Sequence, residues 1–207
     1  MASTVQPSRR QQSIKRTAVI EAATEEFLTY GFYSTSMDGI AEAANVSKRT
    51  VYDHFSSKEE LFQAISREIL NRIGEMPSHQ YDPEKALEDQ LLEIGNTFAK
   101  TITDEGFIKL SRVVIGRFIQ TSDSDHRTAR AHARLRQDMN AFFEAGKRDG
   151  RLNITNVEQA ATQFAGLIKE NAFWPSVTAG QVPMTSRERK AVVKSAVDMF
   201  LAYYRST

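Results

Sequence analysis

Residues 31–62 read GFYSTSMDGIAEAANVSKRTVYDHFSSKEELF, and their punctuation decides the fold. Gly31 supplies a stop for whatever helix precedes it. Thr35 and Ser36 can cap a short helix over residues 37–44, whose inner face is Ile40, Ala41 and Ala44. Asn45-Val46 then reads as a tight turn. Ser47 caps a second short helix over 48–54, which buries Val51 and Phe55. Ser57-Lys58-Glu59-Glu60 has the form of a capping box, Ser57 accepting from a backbone N–H and Glu60 reaching back. It opens a longer helix through Leu61, Phe62, Ile65, Ile69 and Ile73 to Gly74.

Helical periodicity continues on both sides, without a convincing strand-turn-strand pattern. Upstream, Ile20, Ala23 and Phe27 recur at helical spacing over 14–30. Downstream, two prolines in 77–83 interrupt the pattern and mark a linker. Beyond it one helix holds Leu87, Leu91, Ile94, Phe98 and Ile102. The next, 107–120, is apolar on almost every face and is expected in the middle of its domain. Another carries Leu135, Met139, Phe142 and Phe143 and ends near 146–150. Asn156 to Gln159 reads as a cap-and-box start for a helix over 156–172, and Trp174-Pro175 reads as a helix end followed by a loop over 176–183. The last helix, 186–204, places Val192, Val193, Ala196, Val197, Phe200, Leu201 and Tyr204 on one stripe. The expected fold is all-α: an N-terminal three-helix helix-turn-helix domain over 14–56, then a C-terminal helical domain over 57–207. Residues 1–13 are expected as a basic, flexible arm.

Composition bounds the function. Of 207 residues, 41% are hydrophobic and 26% charged, ordinary for a globular chain, and the net charge of +1 says nothing about nucleic acid. The distribution says more. Arg9, Arg10, Lys15 and Arg16 precede the first acidic residue, Glu21, so the N-terminus is locally basic. These residues suit a phosphate-contacting arm and a disordered tail equally. The chain has no cysteine, which excludes disulfides and Cys-ligated zinc. The four histidines lack metal-ligand spacing, and no Gly-rich phosphate loop or nucleophile motif occurs. The expectation is therefore no enzyme, no metal and no cofactor. Residues 1–12 carry no apolar run, and the most apolar stretch, 110–119, is broken by Arg112 and Arg117. No membrane partner and a cytoplasmic location are expected.

Two short helices across a tight turn form a helix-turn-helix plan, whose second helix enters a major groove only if it is polar on one side. With Val51 and Phe55 turned inward, Lys48, Arg49, Thr50, Tyr52 and His54 remain to meet DNA. Residues 14–62 resemble the DNA-binding domain of the tetracycline-repressor (TetR) family. Ile40-Ala41, Val46-Ser47, Thr50, Tyr52, His54-Phe55 and Lys58-Glu59 stand where that pattern has them. The resemblance implies that Ser36 touches a phosphate, that Lys48, Arg49 and Thr50 open the recognition helix, and that Tyr52, His54 and Lys58 contact phosphates. Arg49 is the candidate base reader, because a guanidinium bridges guanine O6 and N7. Lys58 and Glu59 also suit a solvated helix start, and Tyr52 also suits packing. The family's turn commonly carries Gly where this chain has Asn45, so Asn45 is expected at positive φ.

A helix-turn-helix monomer reads half a site, so a homodimer on a double-stranded, palindromic operator is expected. The resemblance implies a four-helix bundle from the last two long helices. Its candidate interface is Ala161, Ala165, Ile168, Val193, Val197, Phe200, Leu201 and Tyr204, residues equally suited to the domain's own core. The resemblance also implies a small-molecule effector, here largely apolar or aromatic, whose binding releases a repressor from DNA. Candidate lining residues are Phe98, Leu110, Val114, Phe118 and Phe143, with Phe164 and Trp174; Arg112 and Arg117 could anchor an anion. Each also suits core packing or a snorkelling position. The alternative is a DNA-binding regulator whose C-terminal domain only dimerises or meets another protein. His126, Arg127, Arg130, His132, Arg134 and Arg136 form a second basic cluster, suited to a solvated helix face or to DNA.

Overall fold

The computed structural model describes the backbone of residues 9–120 and 126–206, and their side chains except at Arg9 and 126–136. Leu135 and the second basic cluster therefore lie outside the described side chains. Ten helices and no strands occur among the described residues. The chain forms two compact units: Met1–Glu68 with Lys109–Asp123, and Ile69–Ile108 with Ser124–Thr207. Two helices, α4 (Lys58–Gly74) and α6 (Glu105–Gln120), each give residues to both units.

The first unit is built on α1 (Arg9–Ser34), α2 (Met37–Ala43) and α3 (Lys48–His54). Regular helix in α1 breaks at Gly31, with φ 79° and ψ 161°, a conformation open essentially to glycine. The expected stop is thus a kink, with a short helical turn beyond it. Helix also begins at Arg9, so residues 9–13 of the expected arm are helical; Arg and Gln are good helix formers with no Gly or Pro among them. Val19, Ala23, Ile40, Val51, Phe55 and Leu61 are buried, as are Leu110 and Val114 of α6.

Side-chain caps set the helix starts. Ser36 accepts from the Gly39 N–H at 3.0 Å, Ser47 from Thr50 at 3.1 Å, and Asn156 from Gln159 at 3.0 Å. At α4 Ser57 accepts from the Glu60 N–H at 3.1 Å, but the Glu60 carboxylate reaches one residue further back, to the Ser56 N–H at 2.8 Å and hydroxyl at 2.7 Å.

The second unit contains α5 (Leu87–Ile102), α7 (His126–Arg148), α8 (Val157–Ala172), α9 (Trp174–Thr178) and α10 (Ser186–Tyr204). α10 packs against α5 and α8, and α7 against α8. Gly95 permits the closest approach: a Cβ there would lie 2.6 Å from Val193 Cγ1. Trp174-Pro175 opens a short helix instead of a loop, because proline in a first turn leaves no helical hydrogen bond unmade. α6 also departs from expectation. Phe107, Ile108, Leu110, Val113 and Val114 are buried, but Arg112 is exposed and Ile119 is 80% exposed, so its later turns do not form a domain centre.

Candidate DNA-binding surface

The turn between α2 and α3 is held by Asn45 at φ 51°, as the residue chemistry requires, and by Val46 N–H donating to Ala41 O at 3.0 Å. Val51 and Phe55 face the core at 0% and 2% exposure. Ser36, Lys48, Arg49 and Tyr52 are exposed; Thr50, His54 and Lys58 are half-buried. The α3 residues that the sequence assigns to DNA, Lys48, Arg49, Thr50, Tyr52 and His54, are thus exposed or half-buried, and Asp53 is exposed beside them.

Their immediate partners differ. Lys48 Nζ lies 2.6 Å from Asp38 Oδ2, and that hydrogen bond, with the carboxylate's charge, holds the ammonium pKa above its ordinary value. Arg49 is 91% exposed, with Asp53 at 3.9 Å on the same helix face. The Thr50 and Ser47 hydroxyls are 2.8 Å apart. Lys58 Nζ donates to Thr35 O at 2.8 Å and to Tyr33 O at 3.1 Å, and stands 4.7 Å from the Phe32 ring centre. Those two hydrogen bonds use two of the three ammonium N–H donors. Of the basic N-terminal residues, Arg16 places its guanidinium 5.2 Å from the Phe55 ring centre.

Asp38 and Asp53 were not singled out from sequence. The Arg49–Asp53 pair has the helical i,i+4 spacing and was legible. The Lys48–Asp38 pair spans the turn and depends on how the two helices cross.

The residues considered for a ligand do not gather into one unit. Phe98, Phe143, Phe164 and Trp174 belong to the second, and Leu110, Arg112, Val114, Arg117 and Phe118 to the first. Phe143 and Phe164 are wholly buried, 6.0 Å apart and edge-on, and both pack on Phe200, at 4.9 and 5.2 Å. Phe98 is also buried, and Trp174 is 37% exposed against Phe173. Phe118 is half-buried and edge-on to Phe62 at 6.5 Å. The Arg117 guanidinium lies 4.2 and 4.8 Å from the Phe32 and Tyr33 ring centres and donates to the Tyr33 hydroxyl.

The residues considered for a dimer seam are largely covered by their own chain. Ala161, Ile168, Val193, Val197, Phe200, Leu201 and Tyr204 are between 0% and 9% exposed; Ala165 is half-buried. The apolar stripe of α10 is spent on α5 and α8. Beside it α8 and α10 leave an open groove of about 480 Å³, lined by Gly166, Leu167 and Glu170 with Met199 and Tyr203, which are 49% and 78% exposed.

Two family models match the chain. Residues 19–65 match the family model "Bacterial regulatory proteins, tetR family", and residues 89–206 match "AefR-like transcriptional repressor, C-terminal domain". A TetR family transcriptional regulator from Pseudomonas syringae pv. tomato is 41% identical, over 92% of this chain and 97% of that one, with TM-score 0.73. The Flavonoid-responsive Regulator FrrA is 25% identical over 93% of this chain and 98% of its own, with TM-score 0.64. The HTH-type transcriptional regulator RutR of Escherichia coli K12 is 42% identical over 62 residues, 30% of this chain and 29% of RutR. The curated relatives are thus matched over about a third of their length, 36% and 29% for the first two. A helix-turn-helix with its polar face outward, joined to a helical domain whose model covers more than half of the chain, places this protein in the TetR family of DNA-binding transcriptional regulators, which are not enzymes.

Proposed function

We propose that the chain is a repressor that binds a palindromic operator as a homodimer and is released by a small, largely apolar or aromatic effector. The observation that carries the dimer is the groove on α8 and α10. Met199 and Tyr203 stand exposed beside Gly166 and Leu167, an apolar strip outside the domain's own core. Two-fold pairing there would cover it and bring two recognition helices onto successive half-sites, roughly 34–36 Å apart. The repressor sense draws support from the description of the C-terminal family model. An aromatic effector draws support from the flavonoid-responsive relative and from the many rings of the second unit.

Selection of random duplex DNA by the purified protein tests this reading. Enrichment of an inverted repeat is the expected result, and enrichment of a single, unrepeated half-site would refute the symmetric dimer. Addition of aromatic metabolites to the protein bound to the enriched duplex then tests release. Saturable loss of binding, with a matching rise in melting temperature, is expected of an effector.

One observation favours a second reading, in which the C-terminal domain dimerises without an effector. Phe143, Phe164 and Phe200 fill the space between α7, α8 and α10 by packing on one another. A screen in which no compound class shifts melting would favour it.

A further inference from the structure

We propose that Arg117 is a positioning residue for DNA binding: from α6 it grips the corner between α1 and α2, and so sets Ser36 and the start of the helix-turn-helix. The inference rests on the operator-binding reading and names a means of regulating that same site.

The corner is the segment from the Gly31 kink to Ser36. Its backbone turns at Gly31, and the Thr35 hydroxyl donates back across the turn to Gly31 O at 2.9 Å and Glu26 O at 3.2 Å. Two cations from two other helices close on it. The Arg117 guanidinium lies 4.2 Å from the centre of the Phe32 ring and the Lys58 ammonium 4.7 Å from it. Arg117 also covers Tyr33 at 4.8 Å and donates to its hydroxyl, while Lys58 donates to the Tyr33 and Thr35 carbonyls. The next residue, Ser36, caps α2 and is the expected phosphate contact.

A second tie fixes the direction of the grip. Lys109 Nζ lies 2.8 Å from Glu25 Oε1. Lys109 and Arg117 are eight residues apart on α6, and their partners Glu25 and Tyr33 are eight apart on α1. Eight residues are about two helical turns, so Lys109 and Arg117 lie near one face of α6, while on α1 the Gly31 kink falls between Glu25 and Tyr33. α6 is thus fastened to α1 at two points, and a slide of α6 along its axis displaces both. The same helix gives its first turn, with buried Phe107 and Ile108, to the second unit. Tyr33 is 65% exposed and Arg117 half-exposed, so little apolar burial depends on their contact. Its loss alters where the corner rests more than whether the unit folds.

The test uses the full chain, with Arg117→Ala, Arg117→Lys and Tyr33→Phe, and the duplex enriched from random DNA. Arg117→Ala is expected to bind about three- to tenfold more weakly, the range for loss of an exposed cation–π contact and its hydrogen bond. The slope of affinity against salt should not change, because no phosphate contact is removed. Amide exchange over 31–36 should quicken, with little change in melting temperature. Arg117→Lys keeps a cation over the rings and should recover part of the affinity. Tyr33→Phe should lose part of it, and less than its full effect once Arg117 is already Ala. Unchanged exchange over 31–36 in Arg117→Ala overturns the grip. Faster exchange with unchanged affinity overturns the positioning role, as does a shallower salt slope, which would make Arg117 a phosphate contact. A wild-type protein that enriches no duplex overturns the operator reading and the positioning role with it, while the exchange result still decides the grip.

Discussion

Two cations of the DNA-binding unit show how residue type and role part company. Arg49 is 91% exposed, with Asp53 Oδ2 3.9 Å from its Nε, so its side chain has room to reach a base edge. Lys58 spends two of its three N–H donors on the Tyr33 and Thr35 carbonyls. Arg49→Ala is accordingly expected to relax preference at one base pair, by roughly 1–3 kcal/mol of discrimination, in competition between single-base-pair variants of the enriched duplex. Lys58→Ala should weaken all duplexes alike and also lower the melting temperature, since it leaves two carbonyls without their donor. Equal loss of sequence preference in both variants would contradict the assignment. The turn offers a second residue-scale test. Asn45 sits at φ 51°, where a Cβ crowds the backbone but the short amide tolerates it. Asn45→Ala should cost about 1 kcal/mol in urea unfolding and Asn45→Gly less. The reverse order would show that the Asn45 amide matters more than the backbone conformation.

At the scale of the element, helix starts are fixed by local chemistry and helix faces by neighbours. α10 begins with a complete capping box: Thr185 Oγ1 accepts from the Glu188 N–H at 3.3 Å, and the Glu188 carboxylate accepts from the Thr185 N–H and hydroxyl, each at 2.7 Å. Those hydrogen bonds, the hydroxyl's first, hold the Glu188 carboxyl below its ordinary pKa. A depressed carboxyl pKa stabilises the folded protein fully above the unfolded value and loses that contribution as pH falls through the folded value. Wild-type melting temperature should therefore fall more between about pH 5 and pH 3 than that of Glu188→Gln, whose side chain does not titrate. Parallel curves would mean that the box contributes no pH dependence. Glu60 is depressed in the same sense by the Ser56 hydroxyl and N–H, so the start of α4 adds to the same window.

For the whole molecule, the central question is which face of α10 belongs to the chain and which to a second copy. Phe200 is 2% exposed and packed on Phe143 and Phe164, so Phe200→Asp puts a charge into the subunit's own core and should unfold it. Tyr203→Asp, at a position 78% exposed, should instead give a folded monomer by sedimentation, with helical circular dichroism retained. If Tyr203→Asp still sediments as a dimer, the groove on α8 and α10 is not the seam.

By itself the sequence determined the helix-turn-helix nearly residue by residue. Ser36, Ser47 and Asn45 act through bonds to backbone within a few residues, so their chemistry is readable without knowing what surrounds them. The same holds for the end of α10, which lies where its apolar stripe stops. Tertiary structure alone decided the rest, because a helical stripe states only that a face is buried and not by which partner. Val193, Val197 and Phe200 could have faced a second copy, yet α5 and α8 of the same chain cover them. Arg117 read as an anchor for an anion, and only the approach of α6 to α1 showed its charge resting on Phe32 and Tyr33. Lys58 read as a phosphate contact, and only the kink at Gly31 brought two carbonyls within its reach. Local bonding is written in short spacings; the division of buried faces among partners depends on contacts between residues some eighty positions apart, such as Arg117 and Tyr33, which no short spacing encodes.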